Sequence, residues 1–237
     1  MAATMTTNPV RAMGLRVRLQ AASGVLVAVF VGVHLLNTFL LALSFAAYDG
    51  VQAALRIVYQ QPVIEAVLVL AIVVHMGCGI GGMLARRRDR ASGVLSGSGP
   101  ALRPPARLRW QRRAGWVLLA FVGGHVLATR GVSLWFDVAP GAQGLGFTMA
   151  FMPAYFYPYY FLLGLAGLYH GVAGIDAVLA RARAGIRVTR LVRPITLVGA
   201  FALVAALLGA GGVLYPTPDP WANDYAAVML RLMGAAP

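Results

Sequence analysis

The sequence predicts an all-α polytopic membrane protein, a bundle of five transmembrane helices with its amino terminus inside. Of the 237 residues, 59% are hydrophobic and only 11% are charged, whereas a soluble domain carries about 25% charged residues. Five apolar runs are each about 20 residues or longer, which is enough to cross a hydrocarbon core of roughly 30 Å. None of them alternates like a barrel strand, so each is expected to be a helix. The predicted spans are residues 19–46, 63–85, 114–136, 151–180 and 195–215.

The positive charge lies on alternate connections between these spans. The net charge of +13 comes from 20 Arg, with no Lys, against seven acidic residues. Seventeen of the Arg lie before the first span, between the second and third, or between the fourth and fifth, and only Arg56, Arg130 and Arg231 lie elsewhere. This bias is the positive-inside pattern of a multi-pass protein, and it explains the charge without a nucleic-acid partner. We expect the chain in the bacterial cytoplasmic (inner) membrane, within the lipid bilayer and with its amino terminus cytoplasmic.

The chain is expected to divide into three parts. Residues 1–18 form a cytoplasmic segment, residues 19–215 the transmembrane domain, and residues 216–237 a tail on the outer side. Apolar residues recur at helical spacing in the tail, which is typical of a helix lying on the membrane surface. No internal repeat is evident, and Cys78 has no partner for a disulfide within the chain.

All four histidines lie inside predicted spans, one on each of the first four helices. His34 and His125 lie toward the outer side, whereas His75 and His170 each precede an Arg of the inner boundary by 11 residues, roughly 17 Å at the rise of an α-helix. The sequence therefore gives two pairs at two depths. A six-coordinate heme takes one neutral imidazole on each face of its iron. We therefore predict two hemes b with these four histidines as iron ligands.

Two long stretches carry a family resemblance. They are residues 111–130, QRRAGWVLLAFVGGHVLATR, and residues 159–190, YYFLLGLAGLYHGVAGIDAVLARARAGIRVTR, with looser matches at 18–38 and 62–79. They resemble the five-helix, two-heme cytochrome b membrane subunit of succinate:quinone oxidoreductases and quinol:fumarate reductases. The resemblance covers about residues 15–215. The cytochrome b of respiratory bc complexes is a poorer match, because it carries two histidines on each of two helices and no helix here carries two.

The resemblance implies a membrane anchor that passes electrons between a cytoplasmic flavin/iron–sulfur succinate dehydrogenase and a membrane quinone, with menaquinone expected. It implies an outer heme held by His34 and His125 and an inner heme held by His75 and His170. Gln20 and Arg181 match positions that anchor the propionates of the inner heme in the family. The implied partners are the flavoprotein and iron–sulfur subunits. The chain is then part of an enzyme only within that complex, because it has no dinucleotide-binding fingerprint and no Cys cluster of its own.

A quinone site requires a protonatable group, because quinone reduction takes up two protons with two electrons. Glu65 is the only carboxylate inside a predicted span that lies near its outer end, about 15 Å outward of His75 along the same helix. Glu65 is therefore the candidate for proton transfer, and Arg130 at the same boundary is a candidate for cofactor binding. A structural role stays open for Glu65, because it follows Pro62 in the first turn of a helix, where the dipole favours a carboxylate.

Two other functions stay open at this point. The chain is either a heme b anchor of another dehydrogenase or a non-redox transporter that uses the histidines as a proton path.

Overall fold

The computed structural model describes residues 14–92, 105–182, 184–186 and 188–235, and these residues are arranged as α-helices joined by short connections. A single 3₁₀ turn, Leu40–Ala42, follows the first helix, and a π-helical turn, Leu127–Gly131, interrupts the third span. The α-helices are α1 (Leu15–Phe39), α2 (Phe45–Tyr59), α3 (Pro62–Ala91), α4 (Ala106–Val126), α5 (Val132–Phe136), α6 (Ala142–Phe151), α7 (Pro153–Arg181), α8 (Thr189–Ala210) and α9 (Asp224–Leu232).

Five segments in the described ranges are long and apolar enough to cross a membrane, as the sequence predicts. Three of them begin several residues earlier than predicted, the first at Leu15, the third at Ala106 and the fifth at Thr189. The early turns contain Arg, which has a high helix propensity and a long stem that lets its charge reach water. The five segments are Leu15–Ala42, Pro62–Asp89, Ala106–Phe136, Pro153–Arg181 and Thr189–Ala210.

The two ends of the bundle differ in composition and packing. We call the end where α1, α4 and α8 begin and α3 and α7 finish the basic end, because it carries Arg16, Arg86, Arg107 and Arg181. We call the opposite end, where α2, α6 and α9 lie, the capped end.

Two of the capping helices are not indicated by the sequence analysis. Helix α2 is capped by Ser44, whose hydroxyl accepts a hydrogen bond from the Ala47 amide at 3.0 Å. Helix α6 starts where the Asp49 carboxylate accepts from the Ala142 amide at 2.9 Å, so α2 provides the cap that begins α6. Helix α9 lies in the tail and packs on α6.

The tightly packed core lies at the capped end. One cluster joins the 3₁₀ turn after α1 with α6 and α8, and a second joins Val132, Phe147, Tyr225 and Ala226. The spans themselves are much less buried by protein, with 6% of the most apolar part of the second span buried and 28% of the fifth. Lipid replaces protein around such helices, so their sequences do not need a polar outer face.

Helix α7 lies at the centre of the bundle, in contact with α1, α4 and α8. Small residues allow the close crossing of α7 and α1, where Gly167 faces Val31 and Gly171 faces Ala28. Helix α3 packs on α1 and α4 packs on α7, but α3 and α4 make almost no contact with each other. The bundle is therefore open between α3 and α4.

A buried carboxylate holds three helices together at the basic end. Asp176 of α7 is 1% exposed and forms an ion pair with Arg107 of α4. The Thr189 hydroxyl, at the start of α8, lies 2.9 and 3.1 Å from the two carboxylate oxygens of Asp176 and donates to them. The charge of Asp176 is thus paired with Arg107 and hydrogen-bonded by Thr189, as a buried charge requires.

Candidate functional site

The structure brings the four histidines together in two pairs. His34 of α1 lies beside His125 of α4, with 6.1 Å between the ring centroids and 64° between the ring planes. His75 of α3 lies beside His170 of α7, with 5.9 Å and 89°. All four rings are half-buried. The first couple is called the capped-end pair below, and the second the basic-end pair.

The separations are close to those of two imidazoles bound to one metal ion. Nitrogen–metal distances of about 2.0–2.1 Å, with about 1.2 Å from each nitrogen to its ring centre, place the centres of two rings on opposite sides of a metal at most roughly 6.5 Å apart. The observed 6.1 and 5.9 Å are shorter than this maximum by roughly 0.4 and 0.6 Å. Within the described ranges, no group of three or more His, Cys, Asp or Glu is placed to hold a metal ion. Each pair thus offers two ligands, the number that heme iron takes in addition to the four porphyrin nitrogens.

The space around the two pairs is open on one side of the bundle. Helices α3 and α4 each carry one histidine and make almost no contact with each other. A planar group as large as a porphyrin needs such room, and each pair supplies two imidazoles to it. The residues present therefore fit heme.

Backbone carbonyls orient the basic-end pair. His75 Nδ1 lies 3.1 Å from the Gln20 carbonyl oxygen, and His170 Nδ1 lies 3.0 Å from the Gln111 carbonyl oxygen. Because a carbonyl only accepts, Nδ1 is the protonated nitrogen in both rings and Nε2 keeps its lone pair. Nε2 is thereby the nitrogen available to a metal.

Gln20, predicted as a propionate anchor, therefore contacts His75 through its main chain. Its side-chain amide lies 3.6 Å from the position of a Cβ at Gly79. Sequence reasoning missed Gln111, which plays the same part for His170. The available signal was spacing, since each glutamine precedes the next histidine of its own helix by 14 residues, in Gln20–His34 and Gln111–His125.

Aromatic rings surround the capped-end pair. His34 is stacked beside Phe30 at 6.0 Å, and Phe30 meets Tyr59 edge-on at 5.5 Å. His125 lies 6.3 Å from the Tyr160 ring. Within the part of the chain that the structure describes, neither imidazole makes a hydrogen bond. Packing against rings, rather than a polar contact, sets their orientation.

Glu65 and Arg130 form one bidentate ion pair. Arg130 Nε donates to one oxygen of the Glu65 carboxylate at 2.6 Å and Nη2 to the other at 2.7 Å. Each side chain is 27% exposed. Glu65 is in the first turn of α3, and Arg130 is in the π-helical turn after α4. The pair therefore links the two helices that otherwise scarcely touch, on the side of the capped-end histidines.

Arg181, the other predicted propionate anchor, is the last residue of α7 and has an exposed side chain at the basic end. The site thus offers two histidine couples at different depths, a basic end beside one couple and an ion pair beside the other. Comparison of the chain with protein-family models, with curated proteins and with solved structures finds no match.

Proposed function

We propose that this chain is the membrane anchor and electron-transfer subunit of a succinate:quinone oxidoreductase, with one heme b in each histidine pair. The observation that supports it best is the meeting of four histidines, from four different spans, in two couples whose ring separation is close to that of two imidazoles on one metal. Each heme supplies a one-electron carrier when bound, and two carriers at two depths connect the ends of the bundle.

The chain's own residues bind and orient these groups. His75 and His170 present Nε2 because Nδ1 is engaged with a carbonyl. His34 and His125 present their rings from within an aromatic box that includes Phe30. Apolar spans around both pairs keep bulk water away from the ligands.

The basic end is the side on which the dehydrogenase docks. Its Arg side chains form a positive surface that attracts an acidic partner over the Debye length and steers its approach. Under the positive-inside rule the same charge supports a cytoplasmic location of this end. A flavoprotein and an iron–sulfur subunit bound there deliver their electrons beside the basic-end pair.

The quinone binds at the capped end, beside Glu65 and Arg130, and menaquinone is the expected species. The Arg130 guanidinium donates hydrogen bonds to a quinone carbonyl oxygen as negative charge develops on it. The Glu65 carboxylate, 27% exposed, transfers protons between the outer solvent and the quinone oxygens. A quinone that approaches Arg130 competes with Glu65 for its donors, so substrate binding itself loosens the ion pair.

An absorption spectrum of the purified, lipid-embedded chain tests the proposal. Two low-spin b-type hemes per chain are expected. A chain that carries no heme would favour the rival function, a non-redox transporter that uses the histidines as a proton path. Identification of the copurifying subunits separates succinate dehydrogenase from another dehydrogenase that this anchor could serve.

A further inference from the structure

The first and third spans share a sequence pattern. In residues 20–38, a glutamine is followed by glycine after four residues, by Phe-Val-Gly after ten, by histidine after 14 and by threonine after 18. Residues 111–129 carry the same residues at the same spacing.

The second and fourth spans share another pattern. Residues 75–86 read His, then Gly-Ile after four residues and Leu-Ala-Arg after nine, and residues 170–181 repeat this spacing. Residues 20–86 and 111–181 are therefore two copies of one two-helix unit. The expectation that the chain has no internal repeat is wrong. The repeat escapes notice because the connections between the paired helices differ in length and only widely spaced residues are shared.

Within each copy the same contacts recur. The histidine at the basic end donates from Nδ1 to the carbonyl of the glutamine of its own copy, at 3.1 Å in the first and 3.0 Å in the second. The glutamine amide lies against the glycine four residues after that histidine, 3.6 Å from a Cβ at Gly79 and 3.4 Å from a Cβ at Gly174.

A second recurring contact lies at the other histidine of each copy. The Thr38 hydroxyl donates to the His34 carbonyl at 2.8 Å, and the Thr129 hydroxyl to the His125 carbonyl at 2.7 Å. The two units thus agree in local structure as well as in residue type.

The glycine four residues after each glutamine lets the histidine ring reach the glutamine carbonyl. In a helix the Cβ of residue i+4 tilts back over the carbonyl of residue i. A Cβ at Gly24 would lie 2.7 Å from His75 Cε1 and 2.8 Å from Nδ1, too close for the ring to stay in place. A Cβ at Gly115 would lie 3.1 and 3.3 Å from the same atoms of His170. Without a side chain there, the imidazole edge lies directly on the helix backbone.

We infer that Gly24 and Gly115 are positioning residues of the basic-end pair, each exposing a glutamine carbonyl that fixes the ring and tautomer of the basic-end histidine in its own unit. Each unit thereby orients one imidazole ligand, and both metal-binding couples form where the two units meet. This inference rests on the proposed function only for the identity of the bound group. The hydrogen bonds belong to the chain itself.

The test is a set of single Gly→Ala variants in the full chain, compared by redox titration and by low-temperature EPR of the ferric hemes. Gly24→Ala should displace His75, weaken its hydrogen bond to the Gln20 carbonyl and lower the basicity of the ligand, which raises the midpoint potential of the basic-end heme. Gly115→Ala should do the same to a smaller extent, because its Cβ has more room. Gly81→Ala on α3, where a Cβ meets no atom within 4 Å, is the matched control.

The expected result is a graded shift in one heme, largest for Gly24→Ala, smaller for Gly115→Ala and absent for Gly81→Ala, with the capped-end heme unchanged. If every variant binds two hemes whose potentials and EPR signals match those of the unaltered chain, the inference is overturned and the proposed function stays intact. A shift confined to the capped-end heme would also overturn it. If Gly24→Ala fails to assemble, the milder Gly115→Ala decides.

A second measurement does not need heme. Histidine-labelled chain examined by ¹⁵N NMR should show two rings protonated at Nδ1, and Gly24→Ala should alter one of them. If the purified chain binds no heme, the proposed function fails, but this spectrum still tests the carbonyl contact. Nε2-protonated rings for His75 and His170 in that chain would contradict the inference.

Discussion

The basic-end pair and the capped-end pair have similar spacing, but different interactions orient their rings. At the basic end, each ring is hydrogen-bonded to a helix carbonyl of its own unit. At the capped end, Phe30 and Tyr160 flank the rings, and among the described residues no hydrogen bond reaches an imidazole nitrogen. The first pair is therefore fixed by the backbone of two helices, and the second by the side chains that surround it.

This difference follows the packing of the two ends. The Tyr160 ring packs against the cluster that contains Ala142 and Met149 of α6, so the ring beside His125 is itself held by the cap. No such layer of helices covers the basic end in the described residues, where orientation has to come from the spans themselves. A repeated two-helix unit can thus retain one local contact, the histidine–carbonyl hydrogen bond, while the remaining histidines acquire their surroundings from added helices.

The largest expected effect comes from removal of a ligand. His75→Leu should lose the basic-end heme and His34→Leu should lose the capped-end heme, because an iron with one imidazole left loses its six-coordinate state. The measurement is the heme content and the absorption spectrum of each purified variant. Cys78→Ala, one helical turn from His75, is the control and should keep both hemes. Loss of both hemes from one variant, with the other variant unchanged, would contradict the pairing.

The next effect concerns the ion pair at the capped end. Glu65→Gln should slow succinate–quinone turnover by about 100-fold or more, the usual worth of a positioned acid or base. Hemes, assembly and dye-linked succinate oxidation should persist. Both assays, run on the same proteoliposomes, give the ratio of succinate–quinone turnover to dye-linked succinate oxidation.

Arg130→Lys separates a chemical role from a structural one. It keeps a cation beside Glu65 and loses the bidentate contact. If Glu65 only anchors the first turn of α3, Glu65→Gln will retain near-normal quinone turnover and both variants will change stability alone.

The sequence was sufficient for the five spans and for the histidine couples, because hydropathy and depth along a helix are local quantities. Helices α2 and α6 were not foreseeable in the same way, because their apolar residues continue the composition of the spans and α6 is begun by Asp49, which lies 93 positions before the amide it caps. Gln111 and Gly115 were missed because their contribution is a backbone carbonyl and an absent side chain. Neither residue type signals a ligand-orienting role by itself.

A smaller effect is expected at the basic end, where Asp176 compensates Arg107. Asp176→Asn keeps the size of the side chain and removes the charge, leaving a cation that is 37% exposed without its counter-ion. We expect a loss of about 1–3 kcal/mol in the free energy of unfolding, less than for a fully buried pair because water reaches Arg107. Thermal unfolding of the detergent-purified protein measures it.

Thr189→Val provides the comparison for that prediction. It removes only the hydroxyl that donates to Asp176 and should cost about 1 kcal/mol. Unchanged stability of Asp176→Asn, beside a loss in Thr189→Val, would show that the charge of Asp176 adds nothing, and the ion pair would then not be what joins α4 to α7.

The smallest effect is a pH dependence of the cap. Burial disfavours the charged phenolate and raises the pKa of Tyr225 to about 12, and burial likewise raises the pKa of Tyr48 to about 12. Because the folded pKa lies above the unfolded value of about 10, this contribution to stability is complete below pH 10. It is lost as the pH rises from 10 to about 12, since the folded state then binds more protons than the unfolded state.

Tyr225→Phe isolates this contribution. The variant loses the hydrogen bond from the hydroxyl to the Ala128 carbonyl at 3.1 Å, so it should be about 1 kcal/mol less stable at pH 8. It no longer has to bury an ionising group, so its stability should fall less steeply than that of the unaltered chain between pH 10 and 12. Thermal unfolding at a series of pH values compares the two slopes, with Tyr155→Phe, at a half-exposed ring, as the control. Parallel curves for Tyr225→Phe and the unaltered chain would mean that Tyr225 ionises without opening the cap.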